Sequence, residues 1–129
     1  MFEKKILIVD DEKNTLFILE KELEARGYSV ITADNGNNAL KLAKSKYPDL
    51  IILDIWMPEM DGAEVAAMLK EDIQTKNIPV IFLTCLLKKR EEGEQGLVIA
   101  DKVYIAKPYD IEGLVSQIER LVNWQCVHG

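Results

Sequence analysis

Three carboxylates, a hydroxyl and an ammonium stand at matching places in this sequence. Asp10 and Asp11 follow one short apolar run, Asp54 a second, Thr84 a third, and Lys107, with Pro108 behind it, a fourth. Brought together, three carboxylates repel one another unless positive charge sits among them. Lys107 supplies one such charge, and a divalent cation is the natural remainder. A ligand set of oxygens alone, with no His or Cys, favours Mg2+ or Mn2+, and Mg2+ takes few protein ligands and keeps several waters. The chemistry that suits such a site is phosphoryl transfer. One carboxylate acts as the accepting nucleophile, while the cation and the lysine neutralise the transferred oxygens.

This chemistry requires the ends of the apolar runs to meet at one edge, and the sequence pattern supplies strands that do so. Residues 5–9, 29–33, 50–53, 79–83 and 103–106 read as strands. The run at 50–53 lacks polar alternation, as suits a strand buried on both faces. Segments of helical period lie between them. Residues 14–26 place Leu16, Leu19 and Leu23 on one face and stop at Gly27, and residues 38–47 present Ala39, Leu42 and Ala43 and end at Pro48. Asp61, three residues before Glu64, opens a helix through Val65, Met68 and Leu69 at capping-box spacing. Asp110 caps a last helix through Ile111, Leu114, Val115, Ile118, Leu121 and Val122. A helix is also expected between Thr84 and Val103. It should be short, shifted or mobile, because Gly93 and Gly96 each remove about 0.5–1 kcal/mol of helix stability. Residues 123–129 carry no period and read as a frayed end. Five βα units with apolar strands imply an α/β doubly wound sandwich, a five-stranded parallel sheet covered by helices on both faces. Such sheets bind ligands beyond the carboxyl ends of their strands.

Composition narrows the class further. The chain has 129 residues, 16 basic against 22 acidic, for a net charge of −6. That length suits one domain, and an apolar share of 48% separates it from disordered segments. The acidic balance argues against an electrostatic grip on nucleic acid or on an anionic membrane surface. No apolar run approaches the length of a membrane span, and the first ten residues lack a signal-peptide pattern. Cys85 and Cys126 form no CxxC pair, so a reducing cytoplasm is the expected setting. A single histidine, His128, argues against His-rich metal sites and against a Ser-His-Asp triad.

Four blocks carry a resemblance to a known family: Ile-Leu-Ile-Val-Asp-Asp over 6–11, Leu-Asp-Ile-Trp-Met-Pro-Glu-Met-Asp-Gly over 53–62, Leu83-Thr84, and Tyr-Ile-Ala-Lys-Pro-Tyr over 104–109. In order and spacing they resemble the CheY-like receiver domain of response regulators. That module takes phosphate from a sensor histidine kinase or a histidine phosphotransfer protein in two-component signalling. The resemblance implies a flavodoxin-like sheet of strand order 2-1-3-4-5. It implies Asp54 as the phosphoacceptor, Asp11 as a direct Mg2+ ligand, Asp10 as a ligand mainly through a bound water, and the main-chain carbonyl of Trp56 as a further ligand. Lys107 would contact the phosphoryl oxygens, and Thr84 would donate its hydroxyl to the phosphoryl group. Tyr104 would be the aromatic that moves inward when Thr84 moves. The Lys107–Pro108 bond is expected to be cis, which only an X–Pro bond makes accessible. Phosphorylation would then alter partner binding on the face built from the helix expected after Thr84, the strand at 103–106 and the last helix. Homodimer formation on phosphorylation is left open. One transfer per cycle implies a switch and no conventional enzyme.

Plainer readings stand beside these. The acid pair could cap an exposed strand end, Asp54 could be a turn acid before Met-Pro, and Tyr104 could be a static half-buried aromatic. Trp56 and Leu86 are apolar where the family flanks the phosphoryl group with variable residues, which implies shielding of the acyl phosphate. Tyr109 stands where Phe is frequent and is expected to change little. A phosphohydrolase working through an aspartyl-phosphate is disfavoured because the DxDxT pattern is missing. A non-phosphorylated interaction module is the main alternative, and the complete set of acids, threonine and lysine argues against it. A receiver over 1–122 leaves 123–129 as a tail and no output domain, so output is expected to leave by protein contact.

Overall fold

Runs of Ile, Leu and Val become strands here because their alternate side chains meet apolar helix faces on both sides of one sheet. The computed structural model describes residues 4–55, 57, 59–84, 97–99, 102–106 and 109–128. Strands β1 (Lys5–Val9), β2 (Ser29–Ala33), β3 (Leu50–Asp54), β4 (Val80–Thr84), β5 (Leu97–Ile99) and β6 (Lys102–Ala106) form one sheet in the order β2-β1-β3-β4-β6-β5. All but β5 run parallel, and these five have the expected 2-1-3-4-5 order. Helices α1 (Lys13–Glu24), α2 (Gly36–Lys46), α3 (Gly62–Glu71) and α4 (Ile111–His128) cover the two faces.

Strand alternation sorts the core into two layers. Ile6, Ile8, Leu50, Ile52, Ile81, Leu83, Val103 and Ile105 pack against Leu16, Leu19 and Leu23 of α1 and Leu114, Ile118 and Val122 of α4. Leu7, Val9, Ile51, Leu53 and Phe82 point the other way, onto Ala39 and Ala43 of α2 and Val65, Ala66 and Leu69 of α3. Every residue of β3 is buried, as expected of its unbroken apolar run. β2, an outer strand, is only half-buried along most of its length.

Helix ends follow local chemistry. Asn35 caps α2 by accepting from the Asn38 N–H at 2.8 Å, so the helix starts at Gly36, two residues before the start expected at 38. Asp61 accepts from the Glu64 N–H at 2.9 Å and caps α3 as its spacing predicts. Gly27 terminates α1 at φ 93°, a conformation that side chains disfavour.

Two observations add to or correct these expectations. Ahead of Val103 the chain contains a strand that the sequence reading did not expect. Leu97–Ile99 is apolar, with β-branched Val98 and Ile99, and it pairs antiparallel along the outer edge of β6, with Leu97 opposite Tyr104. The rest of the segment expected to be helical, 85–96 and 100–101, lies outside the described residues. The frayed end expected from residue 123 is helical to His128. No Gly or Pro interrupts residues 114–128, so nothing in the backbone stops the helix. Among the described residues no helix is long and apolar enough to cross a membrane.

Candidate functional site

Register brings the strand ends together. Val9 pairs with Leu53, which sets Asp10 beside Asp54 on neighbouring strands. Asp54 pairs with Leu83, and Thr84 with Ala106, so the ends of β3, β4 and β6 follow in sequence across the same edge. Main-chain bonds extend this order past the strands: the Asp10 N–H donates to the Ala33 carbonyl at 3.2 Å and the Ile55 N–H to the Leu83 carbonyl at 3.1 Å.

At that edge one carboxylate oxygen each from Asp10, Asp11 and Asp54 lies within 4.8 Å of the others. Asp10 and Asp54 are buried and Asp11 is exposed, so the cluster has a protein wall and an open side. Asp10 is oriented from its own turn, where its Oδ1 accepts from the Glu12 N–H at 2.9 Å. The cluster offers hard oxygen donors, and its open side leaves room for waters. That donor set fits a divalent cation of the Mg2+ type better than Zn2+ or Cu2+.

The loop after β3 is held against the acid by its backbone. The Gly62 N–H donates to the Ile55 carbonyl at 2.9 Å. A Cβ at Gly62 would overlap the carbonyl oxygen of Asp54 and stand 2.8 Å from the Ile55 Cα. Gly62 therefore lets α3 begin directly against β3. Glu59, in the same loop, adopts φ 68°. Gly62 closes one of the quoted sequence blocks but draws no role from the sequence, because close backbone approach leaves no side-chain signature.

Thr84 is buried at the end of β4. Tyr104 is half-buried on β6, where its ring stacks on that of its register partner Phe82, with centroids 5.1 Å apart and planes at 19°. Lys107, Pro108 and Trp56 lie outside the described residues, as do Cys85 and Leu86. Tyr109, expected to matter little, has a defined partner. Its hydroxyl donates to Glu22 Oε1 on α1 at 2.7 Å. Burial, then the hydrogen bond and charge of Glu22, hold its phenol well above the ordinary tyrosine range. In the turn after α1, Arg26 pairs with Glu112 of α4 at 2.6 Å. The frequent Phe at this position carries no hydroxyl, so the sequence pattern gives no hint of the link.

Comparison with known proteins places this arrangement. The family profile of the response regulator receiver domain matches residues 6–119. The chain is 36% identical over 118 residues to the polar-differentiation response regulator DivK of Brucella anthropi, covering 90% of this chain and 94% of that protein. It is 38% identical over 122 residues to the alkaline phosphatase synthesis transcriptional regulatory protein PhoP of Bacillus subtilis, covering 93% of this chain. The chain spans about half of PhoP's length, 49%. Among solved structures, the receiver domain of the sensor histidine kinase PA1611 from Pseudomonas aeruginosa, with a magnesium ion in its active-site cleft, superposes with a TM-score of 0.79 at 26% identity. That match covers 95% of this chain and 99% of the other.

Proposed function

Because the chain belongs to the response regulator receiver domain family, we propose that it is a phosphorylatable switch in which Asp54 accepts a phosphoryl group from a phosphohistidine donor. The observation that carries this reading is the cluster of Asp10, Asp11 and Asp54 at the carboxyl edge of the sheet, with two of the three acids buried. A carboxylate oxygen of Asp54 forms the new P–O bond as the P–N bond of the donor breaks, and the electron pair returns to the imidazole nitrogen. Asp10, Asp11 and Asp54, with the main-chain carbonyl of Trp56, are the residues that would hold Mg2+, and the similar PA1611 receiver carries a magnesium ion in its active-site cleft. Mg2+ bound there supplies positive charge against the phosphoryl oxygens. Lys107 would add a second positive charge and Thr84 a hydroxyl donor.

The donor is a histidine kinase or a histidine phosphotransfer protein. Phe17 and Ile18, one turn along α1 from the acids, are 60% and 54% exposed and offer that partner an apolar foothold. Tyr104, stacked on Phe82, is the side chain through which movement of Thr84 reaches the outer face of β6 and α4. The cysteine usage and charge pattern suit a cytoplasmic signalling protein that acts by protein contact.

The test is labelling with acetyl phosphate. The parent should label in Mg2+ and lose the label on chelation, and Asp54→Asn should stay unlabelled. An unlabelled parent, or labelling of Asp54→Asn to the parent level, would establish the alternative of a non-phosphorylated interaction module.

A further inference from the structure

Helices α2 and α3 lie side by side on one face of the sheet, and they carry opposite charge. α2 bears Lys41, Lys44 and Lys46 and no acid. α3 bears Glu64 and Glu71, with Asp72 at its end. Its one base, Lys70, sits on the far flank beside Ala63, Ala66 and Val80. Between the two helices runs an open groove of about 500 Å3, lined by Leu40, Lys44, Met68, Glu71, Asp72 and Ile73. Met68 is 46% exposed and Ile73 80%, so the groove presents an apolar strip to solvent. Lys44 reaches Asp72 across it at 3.2 Å, which sets the two helices level at that point. Among the described residues Lys41, Glu64 and Glu71 enter no ion pair.

We propose that the α2–α3 face is an interface for a second copy of this chain, docked about a two-fold axis parallel to the helices. Rotation about such an axis sets α2 of each copy against α3 of the other, so the basic helix meets the acidic one twice. Both helices follow parallel strands and run in the same direction, so their levels match across the axis. The Lys44–Asp72 contact then puts Lys41, nearly one turn earlier, level with the part of α3 between Glu64 and Glu71. The other two-fold arrangement, with its axis across the helices, sets base on base and acid on acid, which costs free energy. Met68 and Ile73 of both copies meet in the middle and leave water. A chain of net charge −6 repels its own copies at long range, so only a local pattern of opposite charges favours this contact. The inference goes beyond the phosphoacceptor reading and does not rest on it, since none of these residues belongs to the acid cluster.

The experiment is sedimentation equilibrium on the full chain, at low salt and without a phosphodonor. The parent should pass from monomer to dimer between about 10 and about 500 μM, the range of a modest interface. Ile73→Ser should weaken the dimer about tenfold, through the loss of one apolar side chain at its centre. Lys41→Glu/Lys44→Glu and Glu64→Lys/Glu71→Lys should each weaken it at least tenfold, because each sets like charges face to face. Their one-to-one mixture should recover dimer to within about threefold of the parent. In that mixed contact one half is native and the other has both signs exchanged. The substituted side chains are exposed or half-exposed, so urea midpoints should stay near the parent's and exclude unfolding as the cause. A parent that stays monomeric throughout overturns the proposal and leaves the groove to a different partner. So does a dimer that both reversals leave unchanged, or a mixture no more dimeric than its two components.

Discussion

The two flanks of the acid cluster are held by different means. On the flank of β1 and β3, main-chain contacts close the loops beyond the strands, alongside the Asp10 carboxylate on the Glu12 N–H. Asp10 donates to Ala33, Ile55 to Leu83 and Gly62 to Ile55, and no Cβ fits between Gly62 and Asp54. Past the main-chain ladder of β6 with β4, the contacts that tie the start of α4 to the α1 side are side-chain ones: Tyr109 on Glu22 and Arg26 on Glu112, with Asp110 capping the Gly113 N–H. Backbone contacts leave the sequence little latitude, whereas side-chain contacts can be exchanged one residue at a time. The side that bears the proposed acceptor is therefore fixed by the fold. The side where the start of α4 meets α1 is adjustable by sequence.

The largest expected effect lies on the fixed flank. Gly62→Ala drives a methyl group into the backbone of Asp54 and Ile55, which no rotamer change relieves, and should lower stability by about 3 kcal/mol in urea unfolding. Gly36→Ala is the control. Its Cβ would meet the Met60 Sδ at 2.8 Å and the Val65 Cγ2 at 2.9 Å. Met60 is a flexible neighbour that can shift, so the loss should be about 1 kcal/mol. Equal losses at the two glycines would erase the distinction between backbone and side-chain holding.

This contrast also explains what the sequence made legible. The five parallel strands and the place of the three acids follow from apolar runs ending in Asp10, Asp11 and Asp54, because a buried strand leaves its polar residues only at its ends. Caps such as Asp61 and Asp110 are local and could be read from spacing. Strand β5 was hidden because three residues carry too short a pattern to distinguish extended chain from helix, and its pairing depends on the bare edge of β6. Gly62 and the Tyr109 hydroxyl were hidden for a different reason. One acts through an absent side chain and the other through a partner 87 residues away, and no periodicity reports either.

A smaller effect separates the flanks by pH. The Tyr109 phenol is raised by burial first and then by Glu22, so the folded protein holds this proton more tightly than the unfolded chain. The associated stability is complete below the ordinary tyrosine value of about 10 and is lost as the pH rises beyond it. Tyr28 is also raised, by burial and then by the charge of Glu119, and persists in the comparison. Urea midpoints taken from about pH 8 to about pH 11 should therefore fall more steeply for the parent than for Tyr109→Phe. Parallel curves would mean that the hydroxyl contributes nothing to holding its flank.

The smallest effect concerns the ion pair on the same flank. Arg26 and Glu112 approach to 2.6 Å, but the Glu112 side chain is 75% exposed, and pairs in such settings are screened by water and salt. Arg26 also keeps its bond to the Glu22 carbonyl when Glu112 is lost. Glu112→Gln should change stability by less than about 0.5 kcal/mol at low salt, with the difference vanishing near 1 M salt. Its labelling rate should match the parent's. A Glu112→Gln variant that loses more than about 1 kcal/mol would make the ion pair, rather than the Tyr109 hydroxyl, the main tie between α1 and α4 on this flank.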